Sequence, residues 1–203
     1  MYLSKVFVNI ENRSIVYHLD DCDFWHKKVM EGFLDNLEPC SNARQKLGVL
    51  FRKEENEKGI IIYVQSKVEP NWYGKSWVKK ADVKNIDNIV NSFTVGKIIN
   101  FNLLCTPYYT DKETNKLKCF SNKEDKINWL REKEKYNGFV LVDCDSIYCN
   151  KKLLNIGGNK NSSLIMTNLC GRLKITDADK FIAFYSDGVG RQKSYGAGML
   201  MLY

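Results

Sequence analysis

Several residue patterns that mark common protein classes are missing from this chain of 203 residues. None of its seven cysteines forms a CxxC pair, and the closest two, Cys144 and Cys149, have no histidine nearby to complete a zinc site. The odd cysteine count favours free thiols in a reducing cytoplasm over a disulfide framework. No apolar run is long enough to cross a bilayer, and the opening MYLSKVFVNI lacks the pattern of a signal peptide. We therefore expect no metal site, no membrane partner and a cytoplasmic location.

Histidine is scarce as well, and His18 and His26 are the only two in the chain. What is abundant is positive charge, with 31 basic and 24 acidic residues and a net charge of +7. Such an excess favours an anionic partner, because summed positive charge attracts polyanions and releases their counterions. A lysine-rich proteome would give the same excess, so charge alone does not identify the partner. The apolar fraction of 44% indicates a globular protein with a core.

The hydrophobic pattern predicts strands and helices in a ferredoxin-like order. In the first half we expect a strand over 2–9, a helix over 22–37 capped by Asp20, Asp21 or Asp23, strands over 48–52 and 60–66, and a short helix within 83–90. In the second half we expect a strand over 97–105, a helix after a Ser121–Glu124 capping box, strands over 139–145 and 164–176, a helix ending before Gly188 and a strand over 199–203. The fold class is α+β, with two tandem ferredoxin-like (RRM-like) βαββαβ domains over 1–94 and 95–203.

The last turn of the chain, GVGRQKSYGAG, is rich in glycine and carries two cations. These glycines would let the backbone pass close to phosphate groups and present N–H donors to them. A Walker A motif is absent. The alternative is a helix C-cap followed by a tight turn into an edge strand, and both interpretations remain open. The candidate phosphate-contacting residues of this loop are Gly188, Gly190, Arg191, Lys193, Gly196 and Gly198.

Eight segments follow one another along the chain, and they are MYLSKV, DFWHKKVMEGF, LFR, VQSKVEPNW, FNLLCTP, INWLREKEKYNGF, CGRLKITDADKF and GVGRQKSYGAGMLML. In this order they resemble the CasE-type CRISPR repeat-processing endoribonucleases, which are RAMP proteins. The resemblance implies a metal-independent RNase without cofactor, which cuts at the base of a repeat-derived RNA hairpin. It also implies that the protein stays bound as a subunit of Cascade in the bacterial cytoplasm, with the hairpin RNA and other Cascade subunits as partners.

The resemblance implies that His26 is the catalytic residue, because it heads the first long helix as the family's histidine does. A base near neutral pH would take the proton of the attacking 2′-hydroxyl and leave a 2′,3′-cyclic phosphate. The alternative is a packed core histidine, since His26 falls within the apolar stripe of the predicted helix. The family often has a tyrosine three residues earlier and, in some members, a lysine five residues later, where this chain has Asp23 and Glu31.

Tyr17, Lys27 and Lys28 are the candidate substitutes for the missing phenol and ammonium groups. The departures keep a second hypothesis open, in which the chain is a catalytically weak or inactive hairpin-binding subunit of the same complex. A third hypothesis is that the chain binds single-stranded RNA on an RRM-like sheet. No strand contains the RNP1-like aromatic octamer that would support it. A basic hairpin and the strand after it supply the remaining candidates for hairpin-RNA binding, each of which could instead be a solvated residue. They are Lys151, Lys152, Lys160, Arg172 and Lys174.

Overall fold

The computed structural model describes residues 1–36, 43–156 and 159–203, with side chains described outside 147–163. In this part of the chain, ten strands form two four-stranded sheets and one two-stranded hairpin, and all strand pairs are antiparallel. The strands are β1 (Tyr2–Val8), β2 (Leu50–Asn56), β3 (Gly59–Ser66), β4 (Val78–Asn85), β5 (Ile98–Cys105), β6 (Tyr108–Thr110), β7 (Leu117–Cys119), β8 (Phe139–Ile156), β9 (Asn159–Ile175) and β10 (Leu200–Leu202).

Seven α-helices connect these strands in the same described ranges. They are α1 (Arg13–Val16), α2 (Cys22–Met30), α3 (Ala43–Lys46), α4 (Asp87–Asn91), α5 (Lys123–Arg131), α6 (Glu134–Asn137) and α7 (Ala178–Asp187). Two 3₁₀ turns, Glu31–Asn36 and Lys193–Tyr195, complete the described structure. None of the described helices has the length and apolar character needed to cross a membrane.

The first sheet has the order β2-β3-β1-β4, and the second has the order β10-β5-β9-β8. Both are the ferredoxin-like order, so the predicted α+β fold class is confirmed. All strands of the first sheet come from residues 2–85, and those of the second come from 98–202. The proposed division of the chain into domains over 1–94 and 95–203 stays a prediction.

The first sheet packs one face against α2. Alternate residues of the strands, among them Val6, Ile62 and Val64, are fully buried and contact Trp25 and Val29 of the helix. This is the two-residue period of a half-buried strand meeting the apolar stripe of a helix. The packing fixes which side of α2 faces away from the core, and therefore where the polar residues of the helix lie.

The first half differs from the predictions in three details. The helix expected over 22–37 is α-helical only to Met30 and continues as a 3₁₀ turn, in which Gly32 lies against the Trp72 ring. The short helix expected within 83–90 is present as α4 (Asp87–Asn91) but begins later than expected, because residues 83–85 belong to β4 and pair with β1. No helix joins β3 to β4; residues 67–77, all of them described, form a loop whose Trp72 and Trp77 fill the core in its place.

The second sheet packs against α5 and α7, with Trp129 and Phe181 meeting Phe101, Phe139 and other buried residues of the strands. The predicted helix start was one residue early. Asn122, and not a side chain at position 121, caps α5 by accepting a hydrogen bond from the Asp125 N–H at 2.7 Å. β8 and β9 form one long hairpin whose strands continue through the segment expected to be its tip.

Polar contacts hold the two sheets in a fixed relation. Arg52, only 6% exposed, donates to the Asn102 side chain, and the buried Gln65 amide donates to the Tyr185 carbonyl oxygen at 3.0 Å. Met1 and Leu3 of the first sheet pack against the core of the second. Hydrogen bonds that are buried and include a charged donor contribute more than surface ones, so this junction orients the surfaces on either side of it.

Candidate active site and nucleic-acid interface

The polar side of α2 carries His26. Asp21 caps the helix by accepting a hydrogen bond from the Phe24 N–H at 3.0 Å, which leaves Asp23 in the first turn and one turn before the histidine. The His26 ring is half-buried, so it is neither fully packed in the core nor fully open to solvent. Its Nδ1 is buried and has no hydrogen-bond partner among the described residues. Proton exchange with a substrate therefore falls to Nε2.

The surroundings of His26 favour the neutral imidazole. Burial lowers its pKa below the ordinary value of 6.5, and the positive charges of Arg44 and then Lys27 act in the same direction, while the Asp23 carboxylate opposes them. Loss of hydration penalises the charged form of a base, and nearby cations add repulsion. At neutral pH the ring is thus unprotonated and able to accept a proton.

The glycine-rich turn lies beside this helix. Its 3₁₀ turn packs against α2, and Tyr195 contacts Cys22 at the helix start. The loop is closed by two hydrogen bonds of 2.7 Å, from the Val189 N–H to the Gly198 carbonyl oxygen and from the Gly198 N–H to the Leu104 carbonyl oxygen. The fold thereby brings the C-terminal turn to the N-terminal histidine.

The glycines of the turn are explained first by protein packing. Gly198 has a φ of +86°, and a Cβ there would lie 2.6 Å from the Val189 carbonyl oxygen. Gly196 has a φ of +85°, and a Cβ there would lie 3.2 Å from the Phe51 ring of β2. Side chains are thus excluded by backbone conformation and by contacts within the fold. Contact of Gly188, Gly190, Gly196 and Gly198 with RNA stays a prediction.

A groove of about 550 Å³ opens between α3 and the glycine-rich turn. Its cations are Arg44, Arg191 and Lys193, and Lys133 lies near Lys193. Among the described residues, no carboxylate lies within ion-pair distance of any of the four. Burial and the neighbouring Arg44 lower the pKa of Lys193, while the Asp187 carboxylate, which also lines the groove, opposes them; burial lowers the pKa of Lys133. The cations outnumber this carboxylate, and their excess positive charge favours binding of an anion.

Arg44 and Lys133 are the site residues that the sequence interpretation missed. Arg44 is held in the groove by donating to the Val49 carbonyl oxygen at 2.8 Å, and the Lys133 ammonium lies 4.4 Å from the centroid of the Trp129 ring. Arg44 lies in the short helix α3, and Lys133 lies in the turn between α5 and α6, within the segment INWLREKEKYNGF. The residue pattern did not single out either side chain, because only the tertiary packing places them beside the turn.

Tyr17 and Lys28 are placed away from the groove. Tyr17 is 82% exposed at the end of α1, and no contact links it to His26 within the described ranges. The Lys28 ammonium bonds the Glu31 carboxylate at 2.7 Å, and the other oxygen of that carboxylate accepts from the Trp77 indole at 2.9 Å. Lys27 is exposed and close enough to His26 to lower its pKa. Catalytic roles for the three remain predictions.

Arg172 and Lys174 lie on β9 opposite Asn100 and Ile98, whereas the glycine-rich turn bonds the far end of β5 at Leu104. The Arg172 guanidinium is paired with Asp143, whose carboxylate it meets at 2.7 Å. The structure therefore does not bring these two residues to the groove. Lys151, Lys152 and Lys160 lie outside the residues whose side chains are described. Within the described ranges, no group of three His, Cys, Asp or Glu side chains is arranged to hold a metal ion.

Comparison with known proteins identifies the family. The model of the family described as CRISPR associated protein matches residues 1–203. The chain belongs to this family. The match confirms the predicted resemblance, and no curated protein matches the chain by sequence.

Solved structures of similar fold agree with that assignment. The CRISPR endoribonuclease Cse3 bound to a 19-nucleotide RNA is 20% identical with a TM-score of 0.81, covering 100% of this chain and 98% of that one. The CRISPR-associated protein Cas6e from Escherichia coli K-12 is 22% identical with a TM-score of 0.74, covering 100% and 98%. A chain of a CRISPR RNA-guided surveillance complex, pre-nicking, is 20% identical with a TM-score of 0.67, covering 100% and 99%. These likenesses establish the shared double ferredoxin-like fold.

Proposed function

We propose that this protein is a metal-independent endoribonuclease that cleaves CRISPR precursor RNA at the base of the repeat hairpin and stays bound as a Cascade subunit in the bacterial cytoplasm. The observation that carries the proposal is a neutral, half-buried His26 close to a groove in which three cations outnumber one carboxylate, that of Asp187. The family and the similar RNA-bound Cse3 fold support RNA as the anion. The surveillance-complex chain of similar fold supports assembly with other subunits.

In the proposed reaction the 2′-hydroxyl attacks the adjacent phosphorus in line, and His26 Nε2 takes the hydroxyl proton. The P–O5′ bond breaks, the leaving 5′ oxygen takes a proton from water, and a 2′,3′-cyclic phosphate remains on the upstream fragment. Charge accumulates on the phosphate oxygens in the transition state, where Arg44 and Lys193 offset it. Cations already fixed by Val49 and by packing on Gly198 lose little freedom on binding, so they suit this role.

The hairpin stem would lie along the long β8–β9 hairpin and the glycine-rich turn. α2 contacts β8, and Cys22 at its start packs with Leu164 and Met166 of β9. A stem bound against that hairpin would therefore end near His26. Lys151, Lys152 and Lys160 on the hairpin and Arg191 on the turn are the proposed phosphate contacts, since A-form RNA is recognised mainly through its shape and backbone.

The alternative is a hairpin-binding assembly subunit without cleavage. One observation favours it: the position where some family members have a lysine holds Glu31, which is engaged by Lys28 and Trp77 and does not serve the groove. A negative charge at this place supplies no stabilisation of a phosphorane. Both candidates bind the same RNA, so only the product distinguishes them.

The deciding experiment incubates cognate repeat RNA with wild-type protein, His26→Ala and His18→Ala in EDTA and examines the product ends. His18 is the matched control, because it stacks on Phe24 with ring centroids 4.6 Å apart and lies outside the groove. We expect wild type and His18→Ala to give a cyclic phosphate, and His26→Ala to bind the RNA but cleave about 10²–10⁴-fold more slowly. Tight binding without cleavage by all three proteins would establish the assembly subunit instead.

A further inference from the structure

The outer face of the first sheet, turned away from α2, carries a second arrangement of cations and aromatic rings. It contains Lys5 and Phe7 of β1, Tyr63 of β3 and Lys80 of β4, which we call the open face. Residues on the opposite side of the same strands, such as Val6, are fully buried against α2. Because side chains alternate along a strand, these four side chains point away from that core. The open face belongs to neither the groove nor the second sheet.

The strand register places the two rings as diagonal neighbours. Lys5 is opposite Tyr63, and Phe7 is opposite Ile61 and Lys80. Diagonal neighbours on one face of an antiparallel pair lie about 7–8 Å apart, within reach of successive unstacked bases of one strand. RRM sheets use aromatic residues on their two central strands to stack two or three bases, and β1 and β3 are the central strands here.

The lysine ammonium groups lie over the same rings. The Lys5 ammonium lies 5.2 Å from the centroid of Phe7 and 6.0 Å from that of Tyr63, and the Lys80 ammonium lies 5.8 Å from that of Phe7. A pocket with a volume of about 640 Å³ extends from these rings toward the β2–β3 turn. Five lysines line the open face and its borders against Glu11 and Asp82, a formal excess of three positive charges. The lysines are Lys5, Lys58, Lys79, Lys80 and Lys84.

We propose that the open face binds single-stranded RNA, with bases stacked on Phe7 and Tyr63 and phosphates paired with Lys5 and Lys80. An apolar peptide would cover the rings but would desolvate both Lys5, which has no carboxylate within ion-pair distance among the described residues, and the ion pair of Lys80 with Asp82 at 3.0 Å, which is costly. A duplex would offer phosphates but keep its bases stacked inside. A single strand satisfies both requirements at once. The choice of RNA among polyanions rests on the proposed function, and the natural ligand is then the unpaired RNA next to the hairpin.

The test measures fluorescence anisotropy of a labelled oligouridine of about twelve nucleotides, with and without a saturating unlabelled repeat hairpin. The variants are the double change Phe7→Ala with Tyr63→Ala, the double change Lys5→Ala with Lys80→Ala, and Tyr136→Ala. The last is the matched control, because Tyr136 is 69% exposed with the Lys135 ammonium 5.2 Å from its ring. Thermal melting of each variant checks that the fold is retained.

We expect the hairpin not to displace the oligouridine, and the ring variant to lose at least about tenfold in affinity for it, since each stacked base contributes about 1–3 kcal/mol. The lysine variant should lower the slope of log affinity against log salt, and Tyr136→Ala should match wild type. Unchanged affinity in the folded ring variant, or an equal loss in Tyr136→Ala, would overturn the proposal. Unchanged RNA affinity with lost binding of other subunits would assign the face to a protein partner and overturn it as well.

Failure of this inference is separable from failure of the proposed function. Cleavage of a repeat hairpin without unpaired flanks does not require the open face. Normal cleavage with no binding of oligouridine would contradict the single-strand site and leave the proposed function unaffected. If oligouridine binds through the rings and the wild type does not cleave, the second site is supported and the proposed endoribonuclease activity is rejected.

Discussion

Cations occur in two different settings on this protein. In the groove, Arg44 and Lys193 have no carboxylate within ion-pair distance among the described residues. At the second sheet, Arg172 of β9 is paired with Asp143, and Lys123 of α5 is paired with Asp145 of β8 at 2.7 Å. Both regions carry basic side chains, but only the groove has cations that are not already in ion pairs and can therefore bind an anion. Ion pairing, more than the number of basic residues, indicates where a polyanion binds.

The sharpest way to break this comparison is to remove one cation pair at a time. We expect Arg44→Ala with Lys193→Ala to weaken hairpin-RNA binding by about a hundredfold, because a charge-assisted hydrogen bond contributes about 1.5–3 kcal/mol. The slope of log affinity against log salt should fall by about two. Filter binding over a range of salt concentrations measures both quantities.

The matched control for that pair is Arg172→Ala with Lys123→Ala. Both lost charges are already compensated by aspartates, so the affinity should change by less than about threefold. Equal losses from the two double variants would contradict the comparison and distribute RNA binding over the whole basic surface.

The second prediction concerns the turn that holds Lys193 in the groove. Gly198→Ala should lower the free energy of unfolding by about 2–4 kcal/mol, because it adds a left-handed backbone penalty to a clash with the Val189 carbonyl oxygen. Gly74→Ala is the control, since its φ is +71° and no atom lies within 4 Å of the added Cβ. Its cost should be about 1–2 kcal/mol. Urea denaturation distinguishes the two, and an equal cost would mean that the turn does not pack as described.

The third prediction uses the pKa of His26, which is lowered by burial first and by Arg44 second, and raised by Asp23. A base must be unprotonated, so the cleavage rate should rise with pH through a midpoint below 6.5 and level off near neutral pH. Asp23→Asn removes the opposing carboxylate and should move that midpoint to lower pH. Single-turnover rates measured across this range test it, and a midpoint that moves upward would exclude His26 as the titrating base.

The smallest expected effect comes from releasing a compensated cation. Asp143→Ala frees the Arg172 guanidinium and should strengthen non-specific RNA binding by less than about threefold, since a single exposed charge is screened by salt. Binding of an unrelated duplex RNA at low salt measures this gain. A weaker affinity in the variant would show that Asp143 serves the bound state by some other contact.

The sequence pattern was sufficient for the strand order and for most helices, because a period of two or of 3.6 residues is a local property. It also led to His26 and to the glycine-rich turn. It could not lead to Arg44 or Lys133, whose role depends on a groove formed by segments more than eighty residues apart. The loop over residues 67–77 could not be predicted for the same reason, because Trp72 and Trp77 fill a part of the core where a helix would otherwise be expected.

The predicted roles of the glycines illustrate a further limit of sequence reasoning. A glycine-rich turn next to a cation is typical of phosphate binding, yet Gly196 and Gly198 are already required by Phe51 and Val189. The same residues would be needed whether or not RNA touches them. Only the cations of the turn, Arg191 and Lys193, distinguish a phosphate-binding turn from a purely structural one.

The four tryptophans give the protein two separate optical reporters. Trp25, Trp72 and Trp77 meet edge to face in the first core, with ring centroids 6.4 and 5.8 Å apart, so their emission follows the unfolding of that core. Trp129 instead lies beneath the Lys133 ammonium and beside Gly190 at the groove. A ligand that draws the ammonium away changes the emission of this one indole and leaves the other three unchanged. Occupancy of the groove can thus be followed in the unlabelled protein under conditions in which the protein stays folded.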